Sequence, residues 1–228
     1  MLLNTGQIDI DSRDDDGQSA LSWAAKEGHE AIVQMLLNTG QADANSRDND
    51  GRSALSWAAG NGHEFVLETR FLPYGVDINS KDNDGAAPIS WAARKGKVDA
   101  VYLLLSQESI DPDSRENNGS TPLLWAAWGG YEDITSLLIA TRKVNINSRG
   151  WDGYTPLMCA LWRFHSSVAE LLLQSGSRLS GTCKATLAFD AFWWKDADKE
   201  EQLMKAIDYT DAHDVLGLQG LFHDSCDE

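Results

Sequence analysis

The chain has 5 histidines and 3 cysteines, and none of its residues that could act as acids, bases, nucleophiles or metal ligands has the spacing of a catalytic motif. His29 and His63 lie 34 residues apart, each directly after a glycine, and His165 occupies the same phase. Histidines at such positions are typical of a hydrogen-bonded turn. The sequence contains no phosphate loop, no GxSxG elbow and no HExxH helix. It therefore predicts a protein that is not an enzyme and has no catalytic, cofactor-binding or metal-binding residues.

The three cysteines, Cys159, Cys183 and Cys226, show no CxxC spacing. An odd and sparse set of this kind argues against a disulfide framework and against a zinc site, and favours a reducing compartment. The chain also has no stretch of about 18 apolar residues that could form a membrane-spanning helix. We therefore expect a protein of the cytoplasm or the nucleus that does not bind a membrane.

The charge balance of the chain disfavours a nucleic acid as its partner. Lys and Arg total 19 against 35 Asp and Glu, which gives a formal net charge of -16. Phosphate backbones are repelled by such a surface unless basic residues cluster. Basic residues recur at a spacing of 34 and form a ladder, but an acid directly follows four of them. We therefore expect the adjacent acids to neutralise the charge of the ladder. The ladder comprises Arg13, Arg47, Lys81, Arg115 and Arg149, and the acids are Asp14, Asp48, Asp82 and Glu116.

An internal repeat of 34 residues organises most of the sequence. A dipeptide of Asp or Asn followed by Gly recurs at this spacing five times, at positions 16, 50, 84, 118 and 152. Similar segments follow it, namely SALSWAAKEGHE, SALSWAAGNGHE, APISWAARKGKV, TPLLWAAWGGYE and TPLMCALWRFHS. A unit of this length cannot usually bury its apolar face alone, so stacked units build one core.

Each unit contains signals for a turn and two short helices. Asp-Gly or Asn-Gly favours a tight turn, and the Ser or Thr after it can cap a helix. A glycine such as Gly28 then separates this first helix from a second one with a periodic apolar face. A tryptophan recurs at one position of the first helix, which predicts packing between repeats. These residues are Trp23, Trp57, Trp91 and Trp125; Cys159 replaces the fifth and is expected to be a small buried side chain.

These units resemble ankyrin repeats, whose motif is T-P-L-H-x-A followed by a Gly-His turn, and the SWAA variant resembles arrays common in large fungal proteins. The resemblance implies an all-α fold: an ankyrin-repeat solenoid of helix–turn–helix units with β-hairpin loops and a divergent helical C-terminal cap. The predicted array spans residues 1–179, with a partial unit at 1–13 and five units starting near residues 14, 48, 82, 116 and 150. Residues 180–228 would form the divergent cap and an acidic tail.

The family also implies a function. Ankyrin arrays bind partners mainly with hairpin tips and with the exposed ends of the first helices, on the concave face. We therefore expect a monomeric protein-binding scaffold or adaptor that binds another protein without a cofactor, a role that also suits the recognition portion of a larger multidomain protein. The alternative is an enzyme or enzyme accessory with a small-molecule pocket between the fifth unit and residues 180–228.

The expected binding centre lies in the fourth and fifth units. At the first-helix ends and hairpin tips, the first three units carry small, polar or charged residues, whereas the last two carry large aromatics and an arginine. Trp, Tyr and Arg are the types enriched at binding hot spots. The predicted partner-binding residues are Trp128, Trp151, Tyr154, Trp162 and Arg163. The alternative for Trp128 and Trp162 is packing against the C-terminal segment.

The second unit departs from the repeat pattern. Its segment FVLETRFLPYG places Arg70 at an apolar position, and Pro73 lies where the helix should continue. Proline inside a helix removes a hydrogen bond and breaks the helix. The sequence therefore predicts a bulged or shortened second helix in this unit.

Overall fold

The computed structural model describes residues 9–68 and 75–179, together with Lys205. The chain divides into two compact units, Met1–Asn117 and Asn118–Glu228. The described residues form ten α-helices and no strand, which confirms the predicted all-α fold. The predicted cap and tail at 180–228 lie outside the described residues, except for Lys205, and so does most of the partial unit at 1–13.

The helices of the first unit come in three pairs. They are α1 (Ala20–Lys26) with α2 (Glu30–Asn38), α3 (Ala54–Asn61) with α4 (Glu64–Val66), and α5 (Pro88–Arg94) with α6 (Val98–Leu105). Helix α3 packs against both α1 and α5, so the first helices form a continuous layer within this unit. Alanine makes this close packing feasible, since Ala25, Ala58 and Ala59 are fully buried.

The second unit contains two further pairs. They are α7 (Pro122–Gly129) with α8 (Glu132–Ala140), and α9 (Pro156–Trp162) with α10 (Ser166–Gln174). Helix α7 packs on α9, and α8 packs on α10. The core between them consists of fully buried aliphatic side chains, among them Leu123, Ile134, Leu157 and Leu172.

A Ser or Thr hydroxyl caps four of the five described first helices, as the sequence predicts, whereas Ala87 precedes α5 and makes no side-chain cap. The Oγ of Ser19 accepts a hydrogen bond from the backbone N–H of Ser22, and the Oγ1 of Thr121 accepts one from Leu124. Caps of this kind stabilise a helix by about 1 kcal/mol. Proline occupies the first turn of α5, α7 and α9, where no backbone N–H is needed.

An asparagine ladder connects the hairpin tips of the first unit. The side-chain Nδ2 of Asn83 donates to the carbonyl of Asn49, and that of Asn117 donates to the carbonyl of Asn83, both at 2.9 Å. The backbone N–H of Asn83 also donates to the carbonyl of Asp50 at 2.9 Å. Each hairpin is therefore fixed to the preceding one, and these amides serve the stack rather than a partner.

The second helix of the irregular repeat is short. Helix α4 covers Glu64–Val66, and π-helical turns follow at Leu67 and Glu68. The remaining part of the predicted bulge, with Arg70 and Pro73, falls on residues 69–74, which lie outside the described ones.

Candidate protein-binding surface

The recurring tryptophans of the first unit are fixed by hydrogen bonds to their own hairpins. Each indole Nε1 donates to the aspartate nine residues earlier, and the other oxygen of that carboxylate accepts backbone N–H groups of the turn. For Asp48, these N–H groups belong to Asp50 and Arg52, at 3.0 and 2.8 Å. The indole bonds are Trp23 to Asp14 at 2.6 Å, Trp57 to Asp48 at 2.9 Å and Trp91 to Asp82 at 2.8 Å.

The indole hydrogen bond changes the pKa of the carboxylate in the first hairpin, Asp14. The Trp23 N–H, helped by backbone N–H groups of Gln18 and Asp16 and by the charge of Lys26, lowers the pKa of Asp14 below its ordinary value. Hydrogen bonds donated to a carboxylate favour its charged form. Asp14 therefore stays ionised under mildly acidic conditions.

Cations connect the indole rings of successive repeats. The ammonium of Lys26 lies 4.5 Å from the ring centroid of Trp23 and 4.6 Å from that of Trp57. The guanidinium of Arg52 lies 4.8 Å from Trp57 and 4.5 Å from Trp91. Tryptophan and cation thus alternate from repeat to repeat, at about 0.5–1 kcal/mol for each exposed cation–π contact. The predicted contact between repeats runs largely through these cations, and Trp23 itself is 43% exposed.

Lys26 and Arg52 are not among the binding residues predicted from the sequence. In the sequence they belong to the small, polar or charged residues of the first three units. The signal that could have identified them is the recurrence of a cation three residues after Trp23 and after Trp91, where Lys26 and Arg94 lie. On a helix, this spacing places the two side chains on one face.

Three cations of the basic ladder bond to backbone carbonyls of the next repeat, and neutralisation of the ladder by the acids that follow it stays a prediction. The guanidinium of Arg13 donates to the carbonyl of Arg47, Arg47 donates to Lys81 at 2.7 Å, and Lys81 donates to Arg115 at 2.8 Å. The adjacent Asp48 and Asp82 instead accept hydrogen bonds from their hairpins and from tryptophans. The ladder therefore joins successive repeats through the backbone.

Three tryptophans and an arginine form an aromatic cluster in the second unit. The ring of Trp151 lies 4.8 Å from Trp125 and 5.5 Å from Trp128, the latter pair nearly perpendicular at 82°. The guanidinium of Arg163 lies 5.0 Å from the ring of Trp128. Arg163 is exposed, and the three rings are each half-buried. The structure therefore brings together Trp128, Trp151 and Arg163, and adds Trp125, which the sequence assigned to the framework.

Tyr154 and Trp162 form a separate ring pair. Their ring centroids lie 6.5 Å apart at 74°. Trp162 is half-buried, but Tyr154 is only 9% exposed, so the expectation of an exposed aromatic at that position is wrong. The reason is local, because Tyr154 directly follows the 3-10 turn Trp151–Gly153 and precedes the cap of α9. Packing of Trp128 or Trp162 against residues 180–228 falls on the part of the chain that is not described.

The last hairpin differs from the others because its carboxylate and its framework tryptophan are both missing. Gly150 occupies the aspartate position, and Cys159 occupies the tryptophan position. A side chain at Gly150 would meet Leu124, since an added Cβ would lie 2.5 Å from its Cδ1 atom. Asp152 takes a left-handed conformation with φ 51° in the 3-10 turn that carries Trp151. Cys159 is fully buried, as expected, and burial raises its pKa.

The histidines of the turns bond to the preceding repeat. The Nε2 of His63 lies 2.8 Å from the carbonyl oxygen of Lys26, and that of His165 lies 3.2 Å from the carbonyl of Trp128. Burial lowers the pKa of His165, with a smaller contribution from the charge of Arg163 and against the effect of the Trp128 carbonyl. His165 is therefore neutral near pH 7 and holds the backbone beneath the aromatic cluster.

Two further properties concern only the described residues. Within them, no group of three or more His, Cys, Asp or Glu side chains has the arrangement of a metal site. Over the same residues, no helix combines the length and the apolar character that crossing a bilayer requires.

Comparison with known proteins identifies the repeat. A sequence model described as ankyrin repeats (3 copies) matches residues 1–82, 69–150 and 89–182. None of the curated proteins searched matches the chain significantly. Since the matches extend over residues 1–182 and the described helices and hairpins follow the repeat, the chain belongs to the ankyrin-repeat family.

Proposed function

We propose that the chain is a protein-binding scaffold or adaptor whose partner contacts the aromatic cluster of the second unit. Ankyrin repeats generally mediate protein–protein interaction. The observation that carries the finer proposal is the half-buried ring of Trp151 between Trp125 and Trp128, with exposed Arg163 beside them.

The chemistry of this cluster suits a protein partner. Partly exposed indole rings offer large apolar area, and little conformational entropy is lost when rings already held by neighbours are covered. Arg163 adds a planar cation that can bond to carbonyl or carboxylate groups at the edge of the contact. Trp and Arg are also the residues that most often dominate binding energy.

Because Tyr154 is buried, a substitution there would not distinguish a loss of partner binding from a loss of folding. Replacing Tyr154 by Ala would remove a buried ring and cost about 3–5 kcal/mol of folding free energy. Trp151 and Arg163 are therefore better residues for testing partner contact, because their rings and charges are at least partly exposed.

Site-specific photo-crosslinking tests the proposal directly. A photo-reactive amino acid replaces exposed Asp152, beside Trp151, in one sample and exposed Ser136 of α8 in a matched control. Irradiation of each chain in native extract should give a discrete crosslinked protein at position 152 and none at position 136. The same products from both positions would contradict the proposed surface.

The crosslinked partner, once purified, allows a quantitative second step. Trp151→Ala and Arg163→Ala should each weaken its affinity at least about tenfold, since hot-spot residues contribute more than about 1.4 kcal/mol. Glu132→Ala, at an exposed position of α8, is the control and should leave the affinity unchanged. Circular dichroism spectra that superimpose for all variants exclude unfolding as the cause.

A further inference from the structure

The first unit contains a groove that is distinct from the aromatic cluster. It lies along the row in which Lys26 and Arg52 alternate with the recurring tryptophans. It encloses about 340 Å³ and is lined by the rings of Trp57 and Trp91 together with Arg52, Arg94 and Lys95. Arg52 lies between the two rings, and Arg94 lies 5.4 Å from the ring of Trp91. We call this the tryptophan–cation groove.

The charge of the groove is opposite to that of the chain. Three of its lining residues are cations, and none of the described residues that line it is acidic. The neighbouring carboxylates of Asp48 and Asp82 accept the two indole N–H groups, and that of Asp50 lies 3.7 Å from Arg52. The chain as a whole carries -16. Arg94 and Lys95 are both exposed, so their charges are accessible to a ligand. A local positive site in an acidic protein favours an anionic ligand at short range.

The fold leaves the hydrogen-bonding capacity of Arg52 incompletely used. Its Nη1 lies 3.7 Å from the exposed carboxylate of Asp50, which is longer than a direct hydrogen bond. Its Nε is buried and has no hydrogen-bond partner among the described residues. A guanidinium in this state gains from an acceptor that approaches more closely than Asp50 does.

We propose that the tryptophan–cation groove binds an acidic segment of a partner protein, with Asp or Glu carboxylates on Arg52, Arg94 and Lys95 and apolar side chains against Trp57 and Trp91. The planar forks of Arg52 and Arg94 fit carboxylates, and the half-buried rings provide an apolar wall. This site is independent of the aromatic cluster and lies within residues 9–117.

Fluorescence anisotropy with a labelled peptide in which Glu alternates with Leu tests this proposal. Two matched peptides carry Gln or Lys in place of Glu. The Glu peptide should bind the full chain, and both matched peptides should bind more weakly by about fivefold or more, because at least two ion pairs of about 0.5–1 kcal/mol each are lost. Binding should weaken as salt is raised.

Charge variants locate the binding on the groove. Arg94→Gln combined with Lys95→Gln should weaken binding of the Glu peptide about fivefold or more, because two ion pairs of about 0.5–1 kcal/mol each are removed. Lys143→Gln, which removes an exposed cation of the second unit, should leave it unchanged. Trp128 and Trp151 variants, which disable the aromatic cluster, should also leave it unchanged.

Three results would overturn the proposal. The first is no binding of the Glu peptide, or equal binding of the Glu and Gln peptides. The second is an equal effect of the Lys143 substitution and the Arg94–Lys95 pair. The third is binding of a phosphoserine peptide without any binding of the Glu peptide, which would assign the groove to phosphorylated partners instead.

Discussion

The indole Nε1 of Trp57 donates a hydrogen bond of 2.9 Å to the Oδ2 of Asp48, nine residues earlier in the chain. The same pairing occurs in the repeats on either side of it, and each time the carboxylate also closes the hairpin turn. In the last repeat the two positions are Gly150 and Cys159, so carboxylate and indole are absent together. The pair therefore acts as one unit that fixes the hairpin on the first helix.

Asp48→Asn should destabilise the first unit by about 1.5–3 kcal/mol, the range for hydrogen bonds to charged groups. An asparagine side chain offers one acceptor oxygen, whereas Asp48 accepts bonds from Trp57 and from two backbone N–H groups. Urea denaturation followed by circular dichroism measures the change in free energy of unfolding. Asp50→Asn is the matched control, because the fourth repeat has Asn118 there. It should change stability by less than about 0.5 kcal/mol, and equal effects of the two variants would contradict the assigned role.

Gly51→Ala should cost more stability than Gly40→Ala, although both glycines have positive φ, at 79° and 66°. Left-handed backbone costs a residue with a Cβ about 1 kcal/mol, and this applies to both variants. At Gly51 the added Cβ would also lie 2.8 Å from the backbone nitrogen of Asn83, whereas at Gly40 it meets nothing within 4 Å. Overpacking of this kind adds about 1–3 kcal/mol.

Thermal and urea denaturation of the two glycine variants, measured side by side, decide this prediction. A loss at Gly51 that does not exceed the loss at Gly40 would show that the contact between successive hairpins yields without strain.

The free energy of unfolding should fall as the pH drops from about 7 to 5, in part through His165. Burial lowers the pKa of His165 in the folded chain, whereas in the unfolded chain it titrates near its ordinary value of about 6.5. The unfolded state therefore binds the proton first, and protonation favours unfolding. The stability contribution of neutral His165 is present above the unfolded pKa and is lost as the pH falls toward the folded pKa.

His165→Gln should flatten this pH dependence, because an amide can still donate to the Trp128 carbonyl but does not titrate. Ser167→Gln, at an exposed position two residues away, is the control and should retain the slope of the unmodified chain. Urea unfolding at several pH values provides the measurement. An unaltered slope in the His165 variant would show that protonation of this histidine does not contribute to the pH dependence of the free energy of unfolding.

The sequence alone determined the repeat and the fold. A period of 34 residues, Asp-Gly or Asn-Gly turns, Ser or Thr before four of the five first helices and an apolar periodicity in most second helices are local signals. Each has a direct structural consequence, such as the capping bonds of Ser19 and Thr121. These signals require no knowledge of which repeats are neighbours, because short-range backbone preferences carry them.

The tertiary structure decided how side chains of different repeats meet. Lys26 lies between Trp23 and Trp57, and Trp151 lies between Trp125 and Trp128. Tyr154 is buried although its position suggested exposure, and Arg47 bonds to a carbonyl although an acid follows it directly. Such contacts depend on the distance and orientation between successive units, and a sequence pattern shows which residues share a phase but not where their side chains point.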